Sequence, residues 1–192
     1  MPLVLASTSR FRREILARLP LPFEAVAPVC DETPLAGESA LATAVRLARV
    51  KAQSLAARHP DALIIGSDQV ALLDDQQIGK PGTVENGIAM LKWMSGRTVT
   101  FHTALALYNS ATGHLQEAVD LTHVTLRVLT DAQITRYFEL EPDAIHCAGA
   151  AKSEGLGGAL IEKIESTDPN ALIGLPLFAL ITMLNNEGVE IL

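Results

Sequence analysis

The chain has 192 residues, of which 48% are hydrophobic and 19% charged, and a formal net charge of -7. Those proportions exclude a disordered chain and are enough for one large domain with a real core, while the acidic balance argues against broad binding of a nucleic acid polymer. No apolar run approaches the roughly 20 residues of a membrane helix, so no membrane partner is expected, and the apolar start followed at once by polar residues and arginines does not read as a secretory signal, which makes a cytoplasmic protein the expectation.

Residues 2–6 read as a buried strand, and Ser9 is a good N-cap for a helix starting at Arg10. Phe11, Ile15 and Leu19 would give that helix an apolar stripe, ended by Pro20 and Pro22. Residues 23–27 look like a second strand, followed by the acidic loop Cys30-Asp31-Glu32-Thr33-Pro34. Ser39 caps a long helix expected to reach about residue 58, with Leu41, Val45, Ala48, Ala52 and Leu55 on one face and Lys51 flanking it. The run Ala62-Leu63-Ile64-Ile65 passes through Gly66-Ser67-Asp68-Gln69 and resumes as Val70-Ala71-Leu72-Leu73, a strand pair around Asp68 turned at Asp74-Asp75.

Residues 84–94 read as a helix closed near Gly96, and residues 97–108 and 114–129 as a long hairpin turned at 109–113. Asp131 is expected to cap a helix to about Leu140. Residues 144–158 are irregular and rich in small side chains; residues 160–164 suggest a strand, 176–186 a helix and 189–192 a last short strand. With no internal repeat or linker, residues 1–192 read as a single domain. Strands and helices alternate before the hairpin interrupts, so the class is α/β or α+β with a mixed sheet.

Asp68 is the most informative residue. An ionisable carboxylate inside an apolar strand run costs several kcal/mol or more unless cations or hydrogen bonds meet it. Lys51, and Lys80 in the turn Gly79-Lys80-Pro81, are candidate cations; the bland reading makes them surface lysines. Ser7-Thr8-Ser9-Arg10-Phe11-Arg12-Arg13 joins a strand to a helix N-terminus, where free N–H groups, hydroxyls and an arginine fork suit phosphate, unless it is only a capped helix with solvated arginines. The pair Asp31-Glu32 could take Mg²⁺ or simply be solvated. Neither a Walker loop nor a Gly-x-Gly-x-x-Gly after the first strand is present, which argues against P-loop and dinucleotide sites. Cys30 and Cys147 form no Cys-x-x-Cys pair and the five histidines show no ligand spacing, so a zinc ribbon is excluded and a reducing compartment favoured.

Together these residues resemble the Maf family of nucleoside triphosphate pyrophosphatases, with motifs in order along almost the whole chain: Ser7-Thr8-Ser9 with Arg12-Arg13, Asp31-Glu32-Thr33-Pro34, Lys51, Gly66-Ser67-Asp68-Gln69, Gly79-Lys80-Pro81, Cys147-Ala148-Gly149 and Gly174-Leu175-Pro176. The resemblance implies an α/β fold whose mixed twisted sheet is flanked by helices, two-lobed with a central cleft. It implies Asp68 as proton acceptor, Ser7, Arg12, Lys51 and Lys80 as phosphate ligands, and Mg²⁺ or Mn²⁺ held by Glu32 and Asp68. Family members typically carry Asp-Thr after the central strand, like those acting on dTTP and UTP. Here Gln69 follows Asp68, with Phe11 and Glu154 where that group has arginine and glutamine. This variant looks like the subgroup acting on 7-methyl-GTP, so Phe11, Gln69 and Glu154 would set base choice. Physics agrees: N7-methylation makes guanine cationic, an aromatic ring can stack on a cation, and a carboxylate can accept from guanine N1–H and the 2-amino group. The implied partner is the nucleotide, with a homodimer left open. Rival readings are the same chemistry on dTTP or UTP, and a nucleotide-binding regulator without turnover.

Overall fold

A computed structural model describes residues 1–153 and 155–192. The strands are β1 (Leu3–Ala6), β2 (Phe23–Val26), β3 (Leu63–Leu73), β4 (Gln76–Ile78), β5 (Thr98–Asn109), β6 (Leu115–Leu126) and β7 (Ile161–Glu165). They form one mixed sheet in the order β2-β1-β3-β5-β6-β7, with β4 beside β3. β1 runs parallel to β2 and β3, whereas β4 is antiparallel to β3 and β7 to β6. The helices are α1 (Arg10–Leu16), α2 (Ala40–Gln53), α3 (Val84–Met94), α4 (Asp131–Leu140), α5 (Pro169–Ile173) and α6 (Leu177–Asn186).

The chain divides into two compact units. The first holds residues 1–69, 102–121 and 167–192. Its core is aliphatic: Leu3 and Leu5 from β1, Leu63 and Ile65 from β3, Leu105 and Leu107 from β5, covered by Ile15, Leu16, Leu180 and Leu184 of α1 and α6. Alternation along β3 decides what each later residue meets, because successive side chains leave a strand on opposite faces. Leu63 and Ile65 belong to this core, and Ser67 and Gln69 continue their face. Gly66 and Asp68 face α2: a Cβ on Gly66 would lie 2.0 Å from Ala48 O and 2.7 Å from Ala52 N.

The second unit holds residues 70–101 and 122–166. There α3 and α4 close on each other so tightly that a Cβ on Gly87 would fall 2.4 Å from the Phe138 ring. Tyr137 Oη donates to Ala150 O at 2.9 Å, fixing the segment after α4.

Several elements differ from the sequence reading for local reasons. α1 stops at Leu16, so Ile15 and Leu16 form its buried face and Leu19 is buried beyond the helix. α2 ends at Gln53 rather than near residue 58, and its buried face is Thr43, Ala44, Leu47, Ala48, Lys51 and Ala52. Leu41 is exposed, because the close approach at Gly66 demands small residues against the sheet. Thr130, not Asp131, caps α4, exchanging bonds with Gln133 in a capping box. Helix α5 was not expected; Asp168 caps it. Residues 189–192 are not a strand, and Val189 and Ile191 pack on the first unit's core instead.

Candidate active site

The centre of the site is Lys51. It leaves the buried face of α2 one turn after Leu47, and its Nζ lies 2.6 Å from Asp68 Oδ1 and 2.7 Å from Glu32 Oε2. The lysine and aspartate side chains are 7% and 12% exposed, whereas Glu32 is 53% exposed, so one carboxylate is built into the sheet and the other reaches in from the surface. Asp68 stands in the middle of a continuous strand of 11 residues; β3 does not break there. The strand tolerates the charge because the ammonium meets it directly. Asp68 Oδ2 and Glu32 Oε1 take no hydrogen bond among the described residues.

Within the acidic loop the two neighbours separate in role. Asp31 Oδ1 accepts from the Thr33 amide at 2.9 Å and from its hydroxyl at 2.6 Å, which holds the Asp31 carboxyl below its ordinary value and turns it back on the loop. Glu32 is left to face Lys51. The loop is fastened by Glu38, whose carboxylate grips Arg46 Nε at 2.7 Å and Nη2 at 2.8 Å, while Arg46 Nη2 also donates to Thr33 O at 3.2 Å.

Arg12 completes the charge set. Burial pulls its guanidinium below the ordinary value, and Asp68 and Glu32 push it back up. Its Nε donates to Gly174 O at 2.7 Å, which leaves the outer nitrogens of the fork for a ligand. Ser7, buried at the end of β1, accepts from the Ser9 amide at 3.1 Å. Cys30 lies beside the same charges; burial pushes its thiol up, Glu32, Asp68 and Asp31 act in that direction, and Lys51 opposes them.

On the opposite face of β3, Gln69 Nε2 lies 2.9 Å from Thr103 Oγ1, 3.0 Å from Ala171 O and 3.1 Å from Leu172 O. Backbone carbonyls only accept, so this end of the amide must be the NH₂. Thr103 spends its own proton on Ala171 O at 3.0 Å. The Gln69 oxygen is therefore turned away from α5, presented as an acceptor. Phe11 is partly exposed, with the Arg10 guanidinium 5.2 Å from its ring centroid on one face.

The first unit thus brings Arg12, Glu32, Lys51 and Asp68 into one charge set. Ser7 lies in the same unit with the Ser9 amide as its partner, and Gln69 stands on the other face of β3 against α5. Lys80 is exposed in the segment following β4, within the second unit. Glu154 lies outside the described residues. Sequence reasoning gave no role to Ser67, Thr103, Asn170 or the Gly174 carbonyl, whose contacts join residues more than thirty positions apart; the sequence signals were the motifs Gly66-Ser67-Asp68-Gln69 and Gly174-Leu175-Pro176, in which Ser67 and Gly174 were quoted without a role.

Two cations and two carboxylates gathered from α1, α2 and the acidic loop around the middle of a central strand define a class of site, one for a ligand carrying several charges. The chain belongs to the Maf-like family, whose model matches residues 2–187. It is 76% identical over all 192 residues to the 7-methyl-GTP pyrophosphatase of Chromobacterium violaceum, covering the whole of both chains. It is 60% identical over 190 residues to that of Thiobacillus denitrificans, covering 99% of this chain and 94% of the relative. To that of Neisseria gonorrhoeae it is 54% identical over 192 residues, covering 100% and 98%.

Proposed function

We propose that this protein hydrolyses 7-methyl-GTP between the α and β phosphates, releasing 7-methyl-GMP and pyrophosphate. The observation that carries the reading is Asp68 itself: one oxygen is fixed on Lys51 at 2.6 Å, and the other takes no hydrogen bond among the described residues. Full-length likeness to relatives named for this activity supports it. Asp68 Oδ2 takes a proton from the attacking water, whose oxygen bonds to the α phosphorus as the bond to the bridging oxygen breaks. Arg12 and Lys51 offset charge on the triphosphate, with Ser7 and Lys80 as further phosphate ligands. Phe11 stacks on the cationic base by the ring face that Arg10 does not cover, and Gln69 and Glu154 read its edge.

Glu32 and Asp68 fit a divalent ion. Both carboxylates reach the same Lys51 Nζ, so they lie close together, and each keeps an oxygen with no hydrogen bond among the described residues, free to face an ion beside the ammonium. Among the described residues no group of three His, Cys, Asp or Glu could hold a metal, so substrate oxygens would complete the shell, as Mg²⁺ prefers. When bound, Mg²⁺ or Mn²⁺ would neutralise phosphate charge and polarise the phosphoryl group. A nucleotide substrate of this kind supports the cytoplasmic location expected from the sequence.

The test is a panel of 7-methyl-GTP, GTP, dTTP and UTP, with and without Mg²⁺ or Mn²⁺, reading pyrophosphate. The expected result is fastest turnover of 7-methyl-GTP, with Phe11→Ala raising its KM more than that of GTP. Preference for dTTP or UTP would move the enzyme to the pyrimidine group; tight binding without pyrophosphate would make it a regulator.

A further inference from the structure

The motif Gly174-Leu175-Pro176 has no role in the chemistry above, yet its first residue touches Arg12. We propose that Gly174 is a positioning residue for this reaction: its carbonyl fixes Arg12 before nucleotide arrives, so that the fork meets the triphosphate already aimed. The proposal rests on the phosphate role given to Arg12 above.

Three observations converge. Arg12 Nε donates to Gly174 O at 2.7 Å, the end of the guanidinium nearest its own chain, so the bond orients the plane without using the outer nitrogens. Ser67 Oγ, buried beside Asp68 on β3, lies 2.9 Å from the same carbonyl and 2.8 Å from Ala104 O. One carbonyl oxygen therefore ties the arginine to the strand that carries the proton acceptor. The backbone at Gly174 has φ +121°, a conformation that favours glycine, and a Cβ there would sit 3.3 Å from Arg12 Nε and 3.7 Å from its Cγ. The turn favours glycine, and a Cβ would press the arginine out of its present position by a few tenths of an ångström.

Gly174 is itself anchored. Asp168 accepts the Asn170 amide at 2.9 Å and the Phe178 amide at 2.7 Å, joining the starts of α5 and α6. Asn170 Oδ1 takes Arg18 Nη1 at 2.7 Å, so a second arginine of the segment after β1 is tied to α5. The turn between these helices is held from both sides, and the carbonyl is a fixed reference point rather than a mobile loop atom.

The experiment is a mutant cycle with 7-methyl-GTP, read as kcat/KM and as Tm. Gly174→Ala is expected to lower kcat/KM about 10- to 100-fold, mainly through KM, because a small misplacement of a positioning group has effects of that size. In an Arg12→Ala background the same change should alter kcat/KM less than about two-fold, while the drop in Tm persists. An equal loss of kcat/KM with and without Arg12 would make Gly174 merely structural and overturn the proposal. Should Gly174→Ala not fold, the nucleotide-free wild type decides: the Nε–H of Arg12, assigned by its loss in Arg12→Lys, should exchange with solvent about ten-fold more slowly than that of exposed Arg58. Equal exchange would overturn pre-orientation. Because the exchange needs no turnover, inactivity of the wild type toward every nucleotide would defeat the functional reading and leave the Gly174 contact to be judged by this measurement.

Discussion

Lys51 Nζ meets Asp68 Oδ1 at 2.6 Å across the junction of α2 and β3, with both side chains largely withdrawn from water. A lone carboxylate there would be costly, and so would a lone ammonium, so each makes the other tolerable. The pair does not close the site, because Lys51 also reaches the half-exposed Glu32 at 2.7 Å. An incoming triphosphate can draw on the lysine while Asp68 keeps its second oxygen toward solvent and water.

Asp68→Asn preserves an oxygen for Lys51 but removes the proton acceptor together with the charge paired to the ammonium, which keeps Glu32 as its counter-ion. We expect kcat for 7-methyl-GTP to fall by about 10²- to 10⁴-fold with the fold intact. Lys51→Ala, by contrast, strands the buried carboxylate and should lower stability by about 3 kcal/mol, measured by urea unfolding. An unchanged kcat in Asp68→Asn would remove the catalytic role assigned to it.

Glu38 governs the loop that presents Glu32. Its hydrogen bond from Arg46 holds its carboxyl at about 2, against an ordinary value of 4.5, with the Leu35 amide and Thr43 hydroxyl adding to the effect. The folded value is depressed, so the stabilising contribution is complete above about pH 4.5 and is lost as pH falls toward about 2. The urea midpoint of the wild type should exceed that of Glu38→Gln by a constant margin above that window, and the margin should vanish within it. A margin unchanged down to pH 2 would show that another group carries the effect.

Gln69→Glu tests the amide orientation. The substitution keeps the shape but turns an oxygen toward the carbonyls of Ala171 and Leu172, now 3.0 and 3.1 Å from Nε2. The introduced carboxylate should cost about 1–3 kcal/mol when ionised. Its folded pKa is raised, so the penalty is present at high pH and is relieved as pH falls and the group protonates. The Tm deficit relative to wild type should be larger at pH 8 than at pH 5; equal deficits would mean that the amide is not held as described.

Much of this architecture was readable from local pattern. The apolar runs of β1 and β3, the Ser9 and Ser39 caps, the turn at Gly113 and the extent of α3 follow from periodicity and turn chemistry, which act over a few residues. Asp68 and Lys51 stood out because a charge in an apolar strand demands a partner. What could not be read were contacts set by packing at long range. Lys51 looked like a flank of α2 and is on its buried face; Leu41 looked buried and is exposed. Helix α5, too short to show a period, supplies the carbonyls that hold Gln69, and Gly174 just after it supplies the one that holds Arg12 and Ser67.

Gly66 explains the rotation of α2 and yields the sharpest structural prediction. At this position of β3 a Cβ would lie 2.0 Å from Ala48 O and 2.7 Å from Ala52 N, both backbone atoms of α2. Backbone cannot move aside as a flexible side chain can, so Gly66→Ala must push the helix away from the strand. Lys51 lies between those two helix positions and Asp68 two residues along the strand, so the same displacement stretches their 2.6 Å contact. We expect stability to fall by about 1–3 kcal/mol, as for other overpacked cores, and kcat to fall with it. Ala48→Gly leaves the clashing carbonyl in place and should not rescue the variant, which separates a backbone clash from a side-chain one. Wild-type stability and kcat in Gly66→Ala would mean that helix and strand are not in the contact on which the Lys51–Asp68 pair depends.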